Sequence, residues 1–179
     1  MIDIASISQN LSLNSNDIWV ASNQRDISYP EDGNQACFTL EDSSYWFRHR
    51  NDVIAQLVKT FSPQEAIFDI GGGNGCVSYA LQSNGLEVVL VEPGQVGVRN
   101  AKQRGVRTVI QSTLEDAGFA PQSLPAVGIF DVLEHIELDC DFLQMLYRYL
   151  KPDGRLYITV PAFHCLWSFE DVHAGHYRR

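Results

Sequence analysis

Basic residues are in short supply. Thirteen Lys+Arg stand against 22 Asp+Glu in 179 residues, a formal net charge of −9. A field of that sign repels phosphates, so non-specific binding to nucleic acid or to an anionic membrane is not expected. Long apolar runs are missing too: none approaches the roughly 18 residues that span a bilayer. Met1-Ile-Asp-Ile lacks the basic-then-apolar layout of a signal peptide. Cysteine is sparse. Cys37, Cys76, Cys140 and Cys165 are widely spaced and form no Cys-x-x-Cys pair, which argues against a zinc ribbon and a disulfide framework. A cytoplasmic protein with reduced thiols is expected. No internal repeat or low-complexity tract is visible.

What is present is enough apolar material for a core, at 45% of residues. Residues 1–42 are rich in Asn, Ser, Asp and Gln, with a turn signal at Tyr29-Pro30-Glu31-Asp32-Gly33 and no sustained period. They read as an irregular arm, followed by one domain over 43–179. An amphipathic helix is expected over 44–61, started by Ser43 or Ser44 and stopped at Ser62-Pro63; its stripe is Trp46, Phe47, Val53, Ile54, Leu57, Val58 and Phe61. Short apolar strands then alternate with helices: Ala66–Ile70, Leu86–Val91, Val106–Ile110, Pro125–Phe130 and Arg155–Val160, with Lys151-Pro152-Asp153-Gly154 expected to end the helix before the last strand. That alternation specifies an α/β, doubly wound parallel sheet with right-handed crossovers.

The sharpest signal is Asp69-Ile70-Gly71-Gly72-Gly73-Asn74-Gly75, where the first strand hands over to a helix. Open parallel sheets bind ligands there, and glycines let the backbone approach without a Cβ in the way. The third glycine of the dinucleotide fingerprint would fall at Cys76, and no Gly-Lys-Ser/Thr follows, so neither a dinucleotide nor a Walker loop is matched. Asp69 at the loop mouth suits a cation better than a pyrophosphate. Glu92 ends the second strand, 23 residues after Asp69, where a carboxylate can accept ribose hydroxyls. An adenosine ligand with a positively charged end fits both acids, and S-adenosylmethionine is such a ligand.

These segments resemble the class I S-adenosylmethionine-dependent methyltransferases of the type 11/12 kind. The resemblance runs from about Tyr45 to Arg179. It takes in Ala66–Gly75, Val89–Glu92, Gly128-Ile-Phe-Asp-Val-Leu-Glu-His135 and Leu150-Lys-Pro-Asp-Gly-Arg-Leu-Tyr-Ile-Thr-Val-Pro161. It implies a Rossmann-like sheet in the order 3-2-1-4-5 with helices on both faces. The family's last two strands are not found, so the chain reads as C-terminally incomplete, with an open sheet edge through which copies could self-associate. The resemblance places Asp69, Gly71 and Gly73 around the methionine part of the cofactor, Gly75 among the other cofactor-binding residues of the loop, and Glu92 on the ribose. Leu114 and Glu115 fall at the adenine edge, and Phe130 and Asp131 under the methionine end. Arg50, with Arg48 as competitor, falls against the cofactor carboxylate. His135 is the candidate general base, and Phe163, Trp167 and His176 are candidate pocket residues. Asp131-x-x-Glu134-His135 also has the shape of a pattern found in metal-dependent methyltransferases, to which His173 or His176 could add a ligand. Glu-His is widespread in relatives without metal, however, and no metal is expected. The implied function is methyl transfer to a small-molecule or cell-surface-precursor acceptor, with oxygen slightly favoured. An NAD-binding oxidoreductase and a non-catalytic cofactor-binding module are the alternatives.

Overall fold

The computed structural model describes residues 2–23 and 37–179. From the first expected strand onward the elements alternate as the sequence predicts: β3 (Ile67–Ile70), α3 (Cys76–Ser83), β4 (Val88–Glu92), α4 (Gln95–Arg104), β5 (Thr108–Gln111), β6 (Leu124–Phe130), α5 (Asp139–Tyr149) and β7 (Leu150–Thr159). Before them stands α2 (Tyr45–Thr60), and after them α6 (Phe169–His173). The five strands are mutually parallel and lie in the order β5-β4-β3-β6-β7, which is the expected 3-2-1-4-5 arrangement.

β3, β4 and β6 read as continuous apolar runs because both their faces are covered. Phe68, Ile70, Val89, Val91 and Ile129 point into a core shared with Leu146 of α5. Ile67, Val88 and Ala126 meet Ile54 and Val58 of α2 and Val77 and Leu81 of α3 on the other face. Leu90 and Val109 close a smaller cluster with Val98 and Ala101 of α4.

Three expectations are corrected. Residues 2–23 are not irregular: they form α1 (Ile4–Ile7) and a hairpin of β1 (Leu11–Leu13) and β2 (Trp19–Ala21). The Asn14 side chain accepts from the backbone of Asn16 and Ile18 at 2.9 and 3.1 Å and so turns the hairpin. β2 then pairs parallel with β5, so the sheet reaches seven strands at the edge opposite to where two were missed. Strands of three residues carry too little periodicity to be read without their partners. The Tyr29–Gly33 turn signal lies outside the described residues.

Second, α2 starts after Ser44 as expected but without a side-chain cap bond, and its buried face is Asn51, Ile54, Ala55 and Val58. Trp46, Val53, Leu57 and Phe61 of the expected stripe are exposed. Third, Lys151-Pro-Asp-Gly154 does not separate helix from strand. It is a bulge within β7, between the pairings of Leu150 with Leu124 and Arg155 with Ala126, and Asp153 takes φ +62°. β7 has no further strand neighbour among the described residues.

Candidate functional site

A cavity of about 770 Å³ opens at the C-terminal ends of β3, β4, β5 and β6, the switch region of the sheet. Every glycine from Gly71 to Gly73 lines it. Gly71 and Gly73 take φ of +71° and +52°, which lets the loop leave β3 at a sharp angle. Gly72 is demanded by closeness instead, since a Cβ there would lie 2.9 Å from Asp69 Oδ2 and from a methyl of Leu90. Gly75 is not among the lining residues. At φ +73°, a Cβ on it would stand 2.9 Å from Ala101 and Val106, so it seats α3 against α4.

Two buried acids stand beneath the loop. Asp69 is 1% exposed and accepts from Ser78 Oγ at 2.6 Å. Burial pushes its carboxyl up to about 6, against the Ser78 bond and the Arg50 charge that favour ionisation. Glu92 accepts from the backbone N–H of Gly73 at 2.9 Å and of Gly94 at 2.7 Å, so it ties the end of β4 to the glycine loop. Burial also raises its pKa. Asn74 carries the tie further: its side chain accepts from Asn100 at 2.9 Å and donates to Glu41 at 3.3 Å.

Arg50 projects from α2 into the cavity and its Nη2 pairs with Asp131 Oδ2 at 2.8 Å. Arg48 is exposed and does not line it. Asp131 sits at φ +56° just past β6, an αL position uncommon for a non-glycine residue. Thr159 holds it there, its Oγ1 donating to Asp131 Oδ1 at 2.9 Å and its carbonyl accepting from the Asp131 N–H at 3.0 Å. Leu114, Glu115, Phe130 and His135 also line the cavity. The structure thus gathers ten of the eleven expected site residues, Gly75 being the exception.

The Methyltransferase domain family matches residues 68–158, just over half of the chain. The chain belongs to the class I S-adenosylmethionine-dependent methyltransferases. A ubiquinone biosynthesis O-methyltransferase from Schizosaccharomyces pombe is 31% identical over 100 residues, covering 52% of this chain and 36% of that one. Other curated relatives share 25 to 29% identity, and the chain spans under half the length of each of them. Among solved structures, the PH0226 protein from Pyrococcus horikoshii aligns at a TM-score of 0.62 with 23% identity, over 74% of this chain and 62% of that one. A Haemonchus contortus Phospholethanolamine N-methyltransferase 2, solved with S-adenosylhomocysteine, aligns at 0.59 with 25% identity, over 73% of this chain and 33% of that one.

The cofactor of this methyltransferase domain is S-adenosylmethionine, and the residues present fit it. The cavity wall carries Glu41, Asp69, Glu92, Glu115, Asp131 and Asp141 against Arg50 as its one Lys or Arg among the described residues. Such a wall repels a pyrophosphate and attracts a ligand bearing ammonium and sulfonium charges.

On the far side of Asp131 the methyltransferase domain is built differently. Glu134 is not a solvated neighbour of His135: it is 2% exposed, and burial pushes its pKa up to about 7. Its Oε2 has no hydrogen-bond partner among the described residues. Burial and the neighbouring His176 lower the His135 pKa, while the Asp131 charge opposes them. His176 meets it edge to face, with ring centroids 4.7 Å apart. One ligand atom from each of Glu134, His135 and His176 lies within 4.8 Å of the others. Asp131 is not in that cluster, being turned to Arg50 and Thr159. Nor is His173, which is exposed and stacked on Phe169. Phe163 and Trp167 are exposed and outside the cavity wall. Sequence reasoning missed Cys37, Glu41 and Asn74 as wall residues. No helix among the described residues is long and apolar enough to cross a membrane.

Proposed function

We propose that the chain transfers the methyl group of S-adenosylmethionine to a small-molecule acceptor, with a hydroxyl oxygen as the favoured atom. The observation that carries this reading is the acid-walled cavity, with Asp69 buried beneath the glycine loop and Glu92 at the end of β4. In this reading Asp69 and the backbone of Gly71 and Gly73 surround the methionine part of the cofactor. Glu92 takes the ribose hydroxyls, using lone pairs left over from Gly73 and Gly94. Leu114 and Glu115 flank the adenine, Phe130 and Asp131 lie under the methionine end, and Arg50 offers its remaining N–H groups to the cofactor carboxylate.

The transfer is an in-line displacement. A lone pair of the acceptor oxygen attacks the methyl carbon, the carbon–sulfur bond breaks, and its electron pair stays on sulfur as S-adenosylhomocysteine. The acceptor proton must leave. An ordinary hydroxyl is a weak nucleophile, so a group that removes or loosens that proton is useful where nitrogen would need less help. His135, held neutral in the wall beside Glu134 and His176, supplies it. The fission-yeast relative is a ubiquinone biosynthesis O-methyltransferase, which supports oxygen.

The test is incubation with methyl-labelled S-adenosylmethionine and a panel of catechols, phenols and amines. Label should appear on hydroxyl oxygens, and His135→Ala should lose it while still binding S-adenosylhomocysteine in the calorimeter. NAD binding that strengthens in Asp69→Asn, with no heat from either adenosyl compound, would sink the reading in favour of an oxidoreductase.

A further inference from the structure

We propose that the N-terminal segment α1–β1–β2 is a positioning element for the base of the cofactor. Its residues Ser8 and Asn10 hold the turn that carries Leu114 and Glu115, and so set the preference for adenine over other bases. This inference rests on the methyltransferase reading above and extends it to a part of the chain outside the cavity wall.

The stretch between β5 and β6 shapes itself but does not place itself. Within it the Asp116 N–H donates to Thr113 Oγ1 at 3.1 Å, and the Ala117 N–H to the Thr113 carbonyl at 3.1 Å. The Gly118 N–H reaches the Glu115 carbonyl at 3.4 Å. These bonds close a turn and leave its position on the sheet open. Long-range hydrogen bonds from the same stretch run to Ile7–Asn10. Ser8 Oγ donates to the Ala117 carbonyl at 2.5 Å, and Asn10 Nδ2 to the Asp116 carbonyl at 3.4 Å. The Ala120 N–H donates to the Ile7 carbonyl at 2.9 Å, and Ser8 forms an antiparallel bridge with Phe119.

Packing makes this clasp stiff. Ser8 is 6% exposed, so removing its hydroxyl leaves the Ala117 carbonyl with no water to replace it. Ile4 is buried in one cluster with Leu114, Ala117 and Phe119, and Trp19 packs against that cluster. Gly118, at φ +62°, comes so close that a Cβ on it would lie 2.6 Å from Asn10 Nδ2. At the other end β2 pairs Trp19 with Ile110 and Val20 with Gln111. The same N-terminal segment therefore grips the chain on both sides of Ser112–Glu115.

What is gripped is cavity wall. Ser112, Thr113, Leu114 and Glu115 all line the cavity, whereas none of the described residues in 2–23 does. Ser8 and Asn10 thus act through the turn, as positioning residues. The N–H groups of Leu114 and Glu115 make no hydrogen bond among the described residues, so they remain for the edge of a base. Adenine offers an accepting N1 beside a donating amine. Hypoxanthine offers the reverse, a donating N1–H beside a carbonyl. Donors held in place pair with the first and are left unpaired by the second, while a backbone free to shift loses that discrimination.

The test is calorimetry of the full chain with two probes, S-adenosylhomocysteine and S-inosylhomocysteine, which differ only in the base. The unaltered chain should favour the adenosyl compound at least about tenfold, and Ser8→Ala should narrow that ratio to within about threefold. Asn10→Asp keeps the side-chain size at an exposed position and sets an oxygen against the Asp116 carbonyl, so it probes the clasp without a buried change. It should narrow the ratio at least about twofold. General damage to the fold would weaken both probes alike and leave the ratio where it was, which separates positioning from mere stability. Equal affinity of the unaltered chain for both probes would overturn the proposal, as would an unchanged ratio in every variant that folds. In both of those outcomes S-adenosylhomocysteine still binds and the methyltransferase reading stands. Binding of neither probe by the unaltered chain would remove that reading, and this inference with it.

Discussion

The two sides of the cavity are built to different rules. On the cofactor side Asp69, Asn74 and Glu92 are buried and each is tied to a neighbour through Ser78, Asn100, Gly73 or Gly94. On the acceptor side Asp131 stands at positive φ and Glu134 Oε2 has no hydrogen-bond partner among the described residues; beyond the cavity wall Phe163, also at positive φ, Leu166 and Phe169 are exposed. The cofactor side is complete before any ligand arrives, because strands buried on both faces hold the loop from beneath. The acceptor side hangs on a turn and a short segment, which Tyr177 and Arg178 fasten to each other through the carbonyls of Leu133, Glu134, Ile136 and Glu137.

Perturbing the glycine loop should break the cofactor side hardest. Gly75→Ala adds a Cβ against Ala101 and Val106 at a backbone angle that alanine rarely adopts. A stability loss of roughly 2–5 kcal/mol is expected from strain and overpacking together, read by urea unfolding.

Asp69 sharpens the comparison through pH. Its carboxyl titrates near 6 when folded against an ordinary 3.8. The folded chain therefore holds the proton more tightly than the unfolded chain between those values. Stability of the ligand-free protein should fall as pH rises through that window, by about 3 kcal/mol in order of magnitude. Asp69→Asn should flatten the fall. S-adenosylmethionine affinity should move the opposite way, rising as Asp69 ionises, and it should drop in Asp69→Asn. Thermal melts and calorimetry at about pH 4.5 and 7.5 check both signs.

Glu92→Ala removes two backbone ties and the proposed ribose acceptor. It should weaken S-adenosylhomocysteine binding by about 1–3 kcal/mol, measured by calorimetry. A chelator should leave that affinity unchanged, since none of the cofactor-side groups needs a metal. The smallest effect is expected across the cavity. Phe163→Ala removes an exposed ring and should shift stability by no more than about 0.5 kcal/mol; a larger loss on unfolding would show the acceptor side to be as tightly built as its neighbour.

The difference between the sides also governs how much of each was legible. Ile67–Ile70 and Val88–Glu92 announce themselves as apolar runs ending at Gly71 and Glu92, because a strand covered on both faces has no room for polarity. Local chemistry likewise marked Asp69 and Glu92 as the acids of the loop. Trp19–Ala21 could not be read, since three residues become a strand only when β5 offers its edge. The Asn14 turn was the one local hint, and it specifies a bend rather than a partner.

Sequence alone therefore determined the alternation of strands and helices that makes a parallel sheet, and the glycine loop with its acids Asp69 and Glu92, while the resemblance added the 3-2-1-4-5 order and the family. The first two follow from periodicity and turn chemistry, which act over a few residues. Tertiary structure decided that Gly75 serves helix packing rather than the cavity, that Arg50 rather than Arg48 reaches the site, and that the sheet grows at its N-terminal edge. It alone brought His176 to Glu134 and His135, across some forty residues. The physical reason is common to all four. Each depends on which surfaces meet when distant segments dock, and no local pattern in the chain encodes the distance between them.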